Sequence, residues 1–425
     1  MAEPEGSLAS AETPLMELDE QSETHLENSL NHLENFLKVF GFCQFSFLSL
    51  ALSWASFLLL GVALPLLIIV YRRCSHCEHY VIRRFELQVL VLRSLAAAVS
   101  LIPISTNLRK FGLRKFLFVD RSHGHKDQFR DEYIKKILGF FKWLVIWLLP
   151  CLLLKVVREI VLVLHFHQEC WWRSVAELFG LIFSWTYSTT IFLSGCALFH
   201  LVCNLLVIHF ESYGKLLESD LEISEYIEEH IRLTHCLSKI SHRFRIFFLL
   251  VLSASTATQF VALLQTTGNG QLVNLINGGN FAVTAIVELV GIIICLHGAA
   301  KITGRAQSVA AVASRWHSLV TCGPINPSQS TITINGSSSE PDSLPISYSE
   351  ADLESVGYMP VPTNSQLASY MSAYHKREAL VMYLQSNPGG FTVFGWTIDR
   401  GLIITIFFIE MSLVLFVLGE TLTVS

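Results

Sequence analysis

Lys and Arg are distributed unequally around seven apolar stretches, and no other feature of the sequence constrains its fold as strongly. The stretches are residues 47–71, 87–108, 138–165, 175–209, 246–265, 281–300 and 397–418. Each can cross a hydrocarbon layer roughly 30 Å thick, which takes about 20 residues at 1.5 Å rise per residue. Basic residues in short loops resist translocation far more than acidic ones, so they report which side each loop faces. With the N-terminus inside, twenty lie on the cytoplasmic side: Lys38, nine from Arg109 to Lys136, five from Lys215 to Arg245 and five from Lys301 to Arg377. Only six lie outside or at the outer end of the third span: Arg72, Arg73, Arg83, Arg84, Arg158 and Arg173. The pattern predicts an all-α polytopic membrane protein with seven transmembrane helices, a cytoplasmic N-terminus and an extracytoplasmic C-terminus. This orientation is opposite to that of seven-helix receptors that couple to G proteins, and it argues against that class.

Composition agrees. With 52% hydrophobic residues, 15% charged residues and 29 Phe, the chain is too apolar for a soluble domain of its length. A multi-pass integral membrane protein is expected, in the plasma membrane or an internal one, with lipid as its surroundings. Residues 1–34 hold nine acids and no Lys or Arg, unlike a secretory signal, so insertion is expected to use the first span. The net charge of -5 owes much to this tail, and no basic stripe suggests a nucleic-acid partner. The ten Cys are scattered, and only Cys74 and Cys77 form a local pair. With His76 and His79 they resemble half a zinc site, but no second pair stands at matching spacing, so no metal or cofactor is expected. Free thiols or a disulfide fit better there, with Cys170 as the partner to test.

Between the spans, residues 1–24 read as a disordered acidic tail and 25–44 as an amphipathic helix before the membrane. In that helix Leu26, Leu30, Leu33, Leu37 and Phe40 recur at steps of four and three. The first six spans occupy 47–300, with a cytoplasmic helical extension over 210–245 where Tyr226, Leu233, Leu237 and Ile240 repeat the rhythm. Residues 301–322 form a cytoplasmic helix rich in small residues around Gly304, which favours close helix contact. Residues 323–366 turn to Ser, Pro and Thr without a base, the composition of a disordered cytoplasmic loop. The sequon at Asn335 falls in this loop, on the side where it stays unmodified. A cytoplasmic helix over 367–386 is broken by Asn387-Pro-Gly-Gly before the last span at 397–418.

An ionisable side chain inside a span is costly in hydrocarbon and usually has a partner or a wet cavity. Arg93 in the second span and Glu288 in the sixth both lie roughly 10 Å from the outer surface and are placed to pair. Such a pair selects one helix arrangement. Lys155, Glu177 and Glu410 complete the set. His200 and Asn204, one turn apart, read as an interhelical hydrogen-bonding pair, and His123 and His125 as solvated loop residues. No catalytic constellation stands at working spacing, so an enzyme is not expected. Two rival readings stay open. One is a secondary transporter using Arg93, Glu288 and Glu410, although the internal repeats usual for transporters are not visible. The other is a membrane-anchored signalling scaffold working through the Ser-rich loop, where phosphorylation would add charge.

The last segment reads Asn387-Pro-Gly-Gly-Phe-Thr-Val-Phe-Gly395-Trp-Thr-Ile-Asp399-Arg-Gly-Leu402, then an apolar run. It resembles the C-terminus of insect gustatory and odorant receptors, and the whole chain resembles the plant gustatory receptor-like family, membrane proteins of undefined function with the same plan. The insect receptors usually end in Thr-Tyr, five apolar residues and Gln-Phe. Here Ser412 and Leu413, the run 414–418, then Gly419 and Glu420 stand at those positions, so the apolar run is kept and both polar signposts are changed. The resemblance implies a ligand-gated cation channel or chemoreceptor-like protein, a homotetramer whose last helix lines a central pore, with cations and a small-molecule ligand as partners. Ile404, Phe408, Ser412 and Leu415 share one face of that helix, and a ring of Ile404 and Phe408 is suited to gate by dewetting. Spacing alone fits ordinary helix packing equally well. The resemblance also implies a ligand pocket in the outer halves of the second, third, fourth and sixth spans, which here contain Arg93, Lys155, Trp185, Tyr187 and Glu288.

Overall fold

The structure, a computed structural model, describes residues 13–71, 79–117, 126–165, 171–216, 222–268, 275–322 and 373–423. Among them the chain is almost wholly helical: α1 (Thr13–Val39), α2 (Phe47–Tyr71), α3 (His79–Phe116), α4 (Lys126–His165), α5 (Trp171–Leu216), α6 (Ile223–Gly268), α7 (Leu275–Cys322), α8 (Ala373–Ser386) and α9 (Arg400–Thr423). The helices α2 to α7 are each long and apolar enough to cross a membrane, and α9 carries the seventh apolar stretch. The fold is that of a multi-pass helical membrane protein. Cys74, Cys77, His76, Cys170, His123, His125, Asn335 and the 323–366 loop lie outside the described residues, as does the side chain of His79. Cys43, Cys151, Cys196, Cys203 and Cys295 are buried thiols outside any disulfide.

Several boundaries differ from the sequence expectation. Helix α1 begins at Thr13 rather than near residue 25, because residues 13–24 are rich in Leu, Met and Glu, which are good helix formers even when charged. The last helix begins at Arg400 rather than at 397. Residues 397–399 are kept out of it by a two-stranded hairpin in which β1 (Thr392–Val393) pairs antiparallel with β2 (Trp396–Thr397). Phe394 and Gly395 make the turn with φ of 50° and 83°, a conformation glycine adopts freely. Asp399 then caps α9, its Oδ1 accepting the Leu402 N–H at 2.8 Å. Inside α2, residues Phe57–Ala63 are wound as a π-helix.

The chain divides into two compact units. The first is drawn from Met1–Ile208, Arg243–Lys301 and Asp399–Ser425, and α5 is its centre: the most apolar part of α5 is 100% buried. Small residues bring its neighbours close. The Gly195 position abuts the Ser100 side chain of α3, and Ser100 Oγ donates to the Ile191 and Phe192 carbonyls at 3.4 and 3.3 Å. On α7, a side chain at Gly291 would meet the Phe192 ring at 2.5 Å. Helix α1 buries Leu30, Leu33 and Leu37 and sets Phe36 against Phe140 and Phe141 of α4, with ring centroids 5.8 and 5.5 Å apart.

The second unit is drawn from His209–His242 and Ile302–Ile398. Tyr226, Leu233, Leu237 and Ile240 are all buried in it. Tyr213 donates to the Tyr226 carbonyl at 3.0 Å, and His230 Nδ1 lies 3.4 Å from the Tyr383 hydroxyl of α8. Burial pushes the His230 imidazole down to about 4. The segment after α8 is pinned by backbone donors, Phe391 N–H to Thr303 Oγ1 and Thr392 N–H to Ser241 Oγ, each at 3.1 Å.

Candidate functional site in the first unit

Three helices of the first unit enclose a small cavity with both polar and apolar walls. Its walls are Arg93 and Ala96 of α3, Trp185, Ser188, Thr189 and Phe192 of α5, and Thr284, Val287 and Glu288 of α7. The cavity volume is about 10 Å³, room for about one water molecule. Arg93 and Glu288 therefore face one cavity, but they do not form the direct ion pair that their equal depth suggests. Arg93 donates to Ser184 Oγ at 3.4 Å and its Nε has no partner. Glu288 Oε1 accepts from Thr258 Oγ1 of α6 at 3.1 Å, and its Oε2 has none. Each charge has turned to a nearby hydroxyl, and Arg93 is also within electrostatic reach of Glu159.

Beside the cavity lies a buried ionic network. Lys155 Nζ is 2.7 Å from Glu159 and 2.7 Å from Asn280 Oδ1. Arg158 meets Glu159 at 2.6 Å and Glu86 at 3.4 Å. Arg158, expected at the outer end of the third span, is a buried member of the network, paired with two carboxylates. Lys155 joins this network rather than the cavity wall.

The remaining expected residues separate. Trp185 lines the cavity, whereas Tyr187 does not and stacks instead on Phe40, with ring centroids 6.1 Å apart. Glu177 is half-buried near the start of α5. Asn204 accepts from Lys301 Nζ of α7 at 2.8 Å, while His200 stacks on His297 at 5.5 Å. Glu410 of α9 is buried, within electrostatic reach of Glu288, and faces Gln259 of α6. Val414, one turn on, packs against Ala285 and Leu289 of α7. Ile404, Phe408 and Leu415 are 54%, 65% and 56% exposed, and Ser412 is exposed with them. Sequence reading missed Glu86, Glu159, Thr258, Gln259 and Asn280. The spacing of Lys155 and Glu159, one helical turn apart, was the available signal for one of them. The neutral residues gave none.

A chain whose described residues are almost wholly helical, with long apolar helices around a core that holds buried charges, is a multi-pass membrane protein. The chain matches from residue 28 to residue 409 the family described as "Protein of unknown function (DUF3537)", and it belongs to that family. Among solved structures it is similar to the insect olfactory receptor OR5 from Machilis hrabei in complex with eugenol. The TM-score is 0.54 and the identity 11%, and the match covers 93% of this chain and 99% of the receptor. The shared feature is the fold, the seven-span insect olfactory receptor fold. No curated protein matches the chain.

Proposed function

We propose that this protein is a chemoreceptor-like, ligand-gated cation channel of the plant gustatory receptor-like kind, a homotetramer in which α9 of each subunit lines a central pore. One observation carries the reading. Helix α9 has two unlike faces, with Glu410 and Val414 buried inside the subunit and Ile404, Phe408, Ser412 and Leu415 turned away from it. In the tetramer that outward face meets its copies about the axis, and the Ile404 and Phe408 rings close the pore by excluding water. The likeness to a receptor solved in complex with eugenol supports a small-molecule ligand. Its site is the cavity between Arg93, Trp185 and Glu288, where an aromatic wall and two polar ends suit a compact ligand with a hydrogen-bonding group. With room for about one water, the cavity must widen for the ligand to enter, and that widening is the coupling step to the pore.

The test is current across planar bilayers containing the purified protein, with wild type compared against Phe408→Ala and Ile404→Ala. Larger cation currents in the trimmed variants support a pore through α9. A folded protein that stays monomeric sinks the central pore outright. A folded tetramer that is silent in all three forms favours a secondary transporter, the reading supported by the buried Glu288 and Glu410.

A further inference from the structure

Where α6, α7 and α9 meet in the first unit, four polar side chains converge: Thr258 and Gln259, Glu288, and Glu410. They are 1%, 0%, 1% and 2% exposed, respectively. Thr258 donates to one oxygen of Glu288, which leaves the other oxygen without a partner. Glu410 Oε2 is also unpartnered. Gln259 is fully buried and turned to the Glu410 carboxylate, with which its amide makes only an incomplete hydrogen bond, and its amide oxygen has no partner. A primary amide left so costs about 1–3 kcal/mol per unmet group, and natural interiors rarely tolerate it without an occupant. Two carboxylates, an amide oxygen and a hydroxyl form an all-oxygen set, the donor chemistry of a hard cation.

The charge inventory sets the size of that cation's charge. Among the described residues, the charged Lys, Arg, Asp and Glu side chains buried in the first unit are Lys155, Arg158, Glu86, Glu159, Glu288 and Glu410, and Arg93 joins them at the cavity. Four acids face three bases, so neutrality takes one further positive charge, a cation or a proton. The Lys155 network accounts for Glu86 and Glu159, which leaves the deficit at Glu288 and Glu410. We propose that Glu288, Glu410, Gln259 and Thr258 bind one alkali-metal cation, which ties α9 to α6 and α7. This site is separate from the ligand cavity and does not depend on the channel reading.

The experiment is thermal unfolding of the full-length protein in a neutral detergent. It is titrated with sodium chloride, with potassium chloride, and with N-methylglucamine chloride as a control of equal ionic strength. A bound cation raises the melting temperature in a saturable way, by about 2 °C or more over the N-methylglucamine series. Glu410→Gln and Glu288→Gln keep the shape and remove the charge, and each should abolish that rise. Gln259→Leu removes a neutral amide and no charge, so it keeps the test open if a Glu variant does not fold, and it should also flatten the titration. Identical curves in all three salts for the wild type overturn the proposal. So does a melting temperature that ignores the alkali metals and rises only on acidification, because then a proton occupies the place between the two carboxyls.

Discussion

The first and fourth spans are equal in mean hydropathy, yet 28% of the most apolar window of α2 is buried and 100% of that of α5. In water such a difference would show as a difference in apolarity. In lipid it cannot, because the hydrocarbon is as apolar as a protein core and offers no gain for burying Leu. The difference lies in side-chain size and polarity. Ser184, Ser188, Thr189, Thr190, Ser194, Gly195 and Cys196 fill the middle of α5, whereas α2 turns Leu48, Leu52, Leu58, Leu59 and Leu67 outward. Interior helices here are marked by small and hydrogen-bonding residues, and lipid-facing helices by large aliphatic ones.

That contrast can be tested by degrees, using unfolding of the full-length protein in a membrane mimic. The largest expected effect is from Glu159→Leu, which leaves Lys155 and Arg158 buried without their shared carboxylate. Removing one partner of a buried pair costs about 3–5 kcal/mol, and an unchanged stability would mean that lipid or water reaches this network. Next comes acidification, which applies the interior rule at His230, in the charged first turns of α6. Its folded value of about 4 lies below the ordinary 6.5. Above pH 6.5 neither state binds the proton. As pH falls from 6.5 towards 4 the unfolded chain takes it up first, so stability declines by on the order of 3 kcal/mol. His230→Phe should flatten that part of the pH profile.

Smaller effects compare two glycines. Gly195→Ala pushes a methyl group into Ser100 and should cost about 1–3 kcal/mol. Gly139→Ala on α4 meets nothing within 4 Å and should stabilise by up to about 1 kcal/mol through helix propensity. The smallest effect belongs to Leu153→Ala on the exposed side of α4, within about 0.5 kcal/mol. A large loss there would show that the surface of α4 is covered by another chain.

The helical spans were legible in the sequence because length and apolarity alone define them. So were the inward faces of α1 and the segment from Tyr226 to Ile240, where helical period selects buried residues. Arg93, Trp185 and Glu288 were legible as a group because depth in the membrane can be counted along a helix. Which partner each charge takes was not legible. Arg93 and Glu288 share a cavity but each finds a hydroxyl, an outcome set by rotamers and helix rotation. Gln259 was invisible because a neutral amide among Ala and Thr leaves no trace in hydropathy or charge. Tyr187 was misplaced because 100° of rotation separates successive residues of a helix, and its neighbours Trp185 and Ser188 already take the cavity side.

The π-wound stretch of α2 has a consequence for how this helix tolerates change in chain length. The buried positions of α2 are Ser53, Phe57, Gly61, Pro65 and Ile69, an unbroken interval of four. In a uniform α-helix each such step overshoots a full turn by about 40°, and four steps would carry the stripe roughly 160° round the axis. The wider winding of Phe57–Ala63 takes up that drift and holds all five positions on one side. The stretch acts as a phase corrector. A single-residue deletion inside it can be absorbed by tightening to α geometry, while the same deletion a turn away would rotate half of the helix out of its seat.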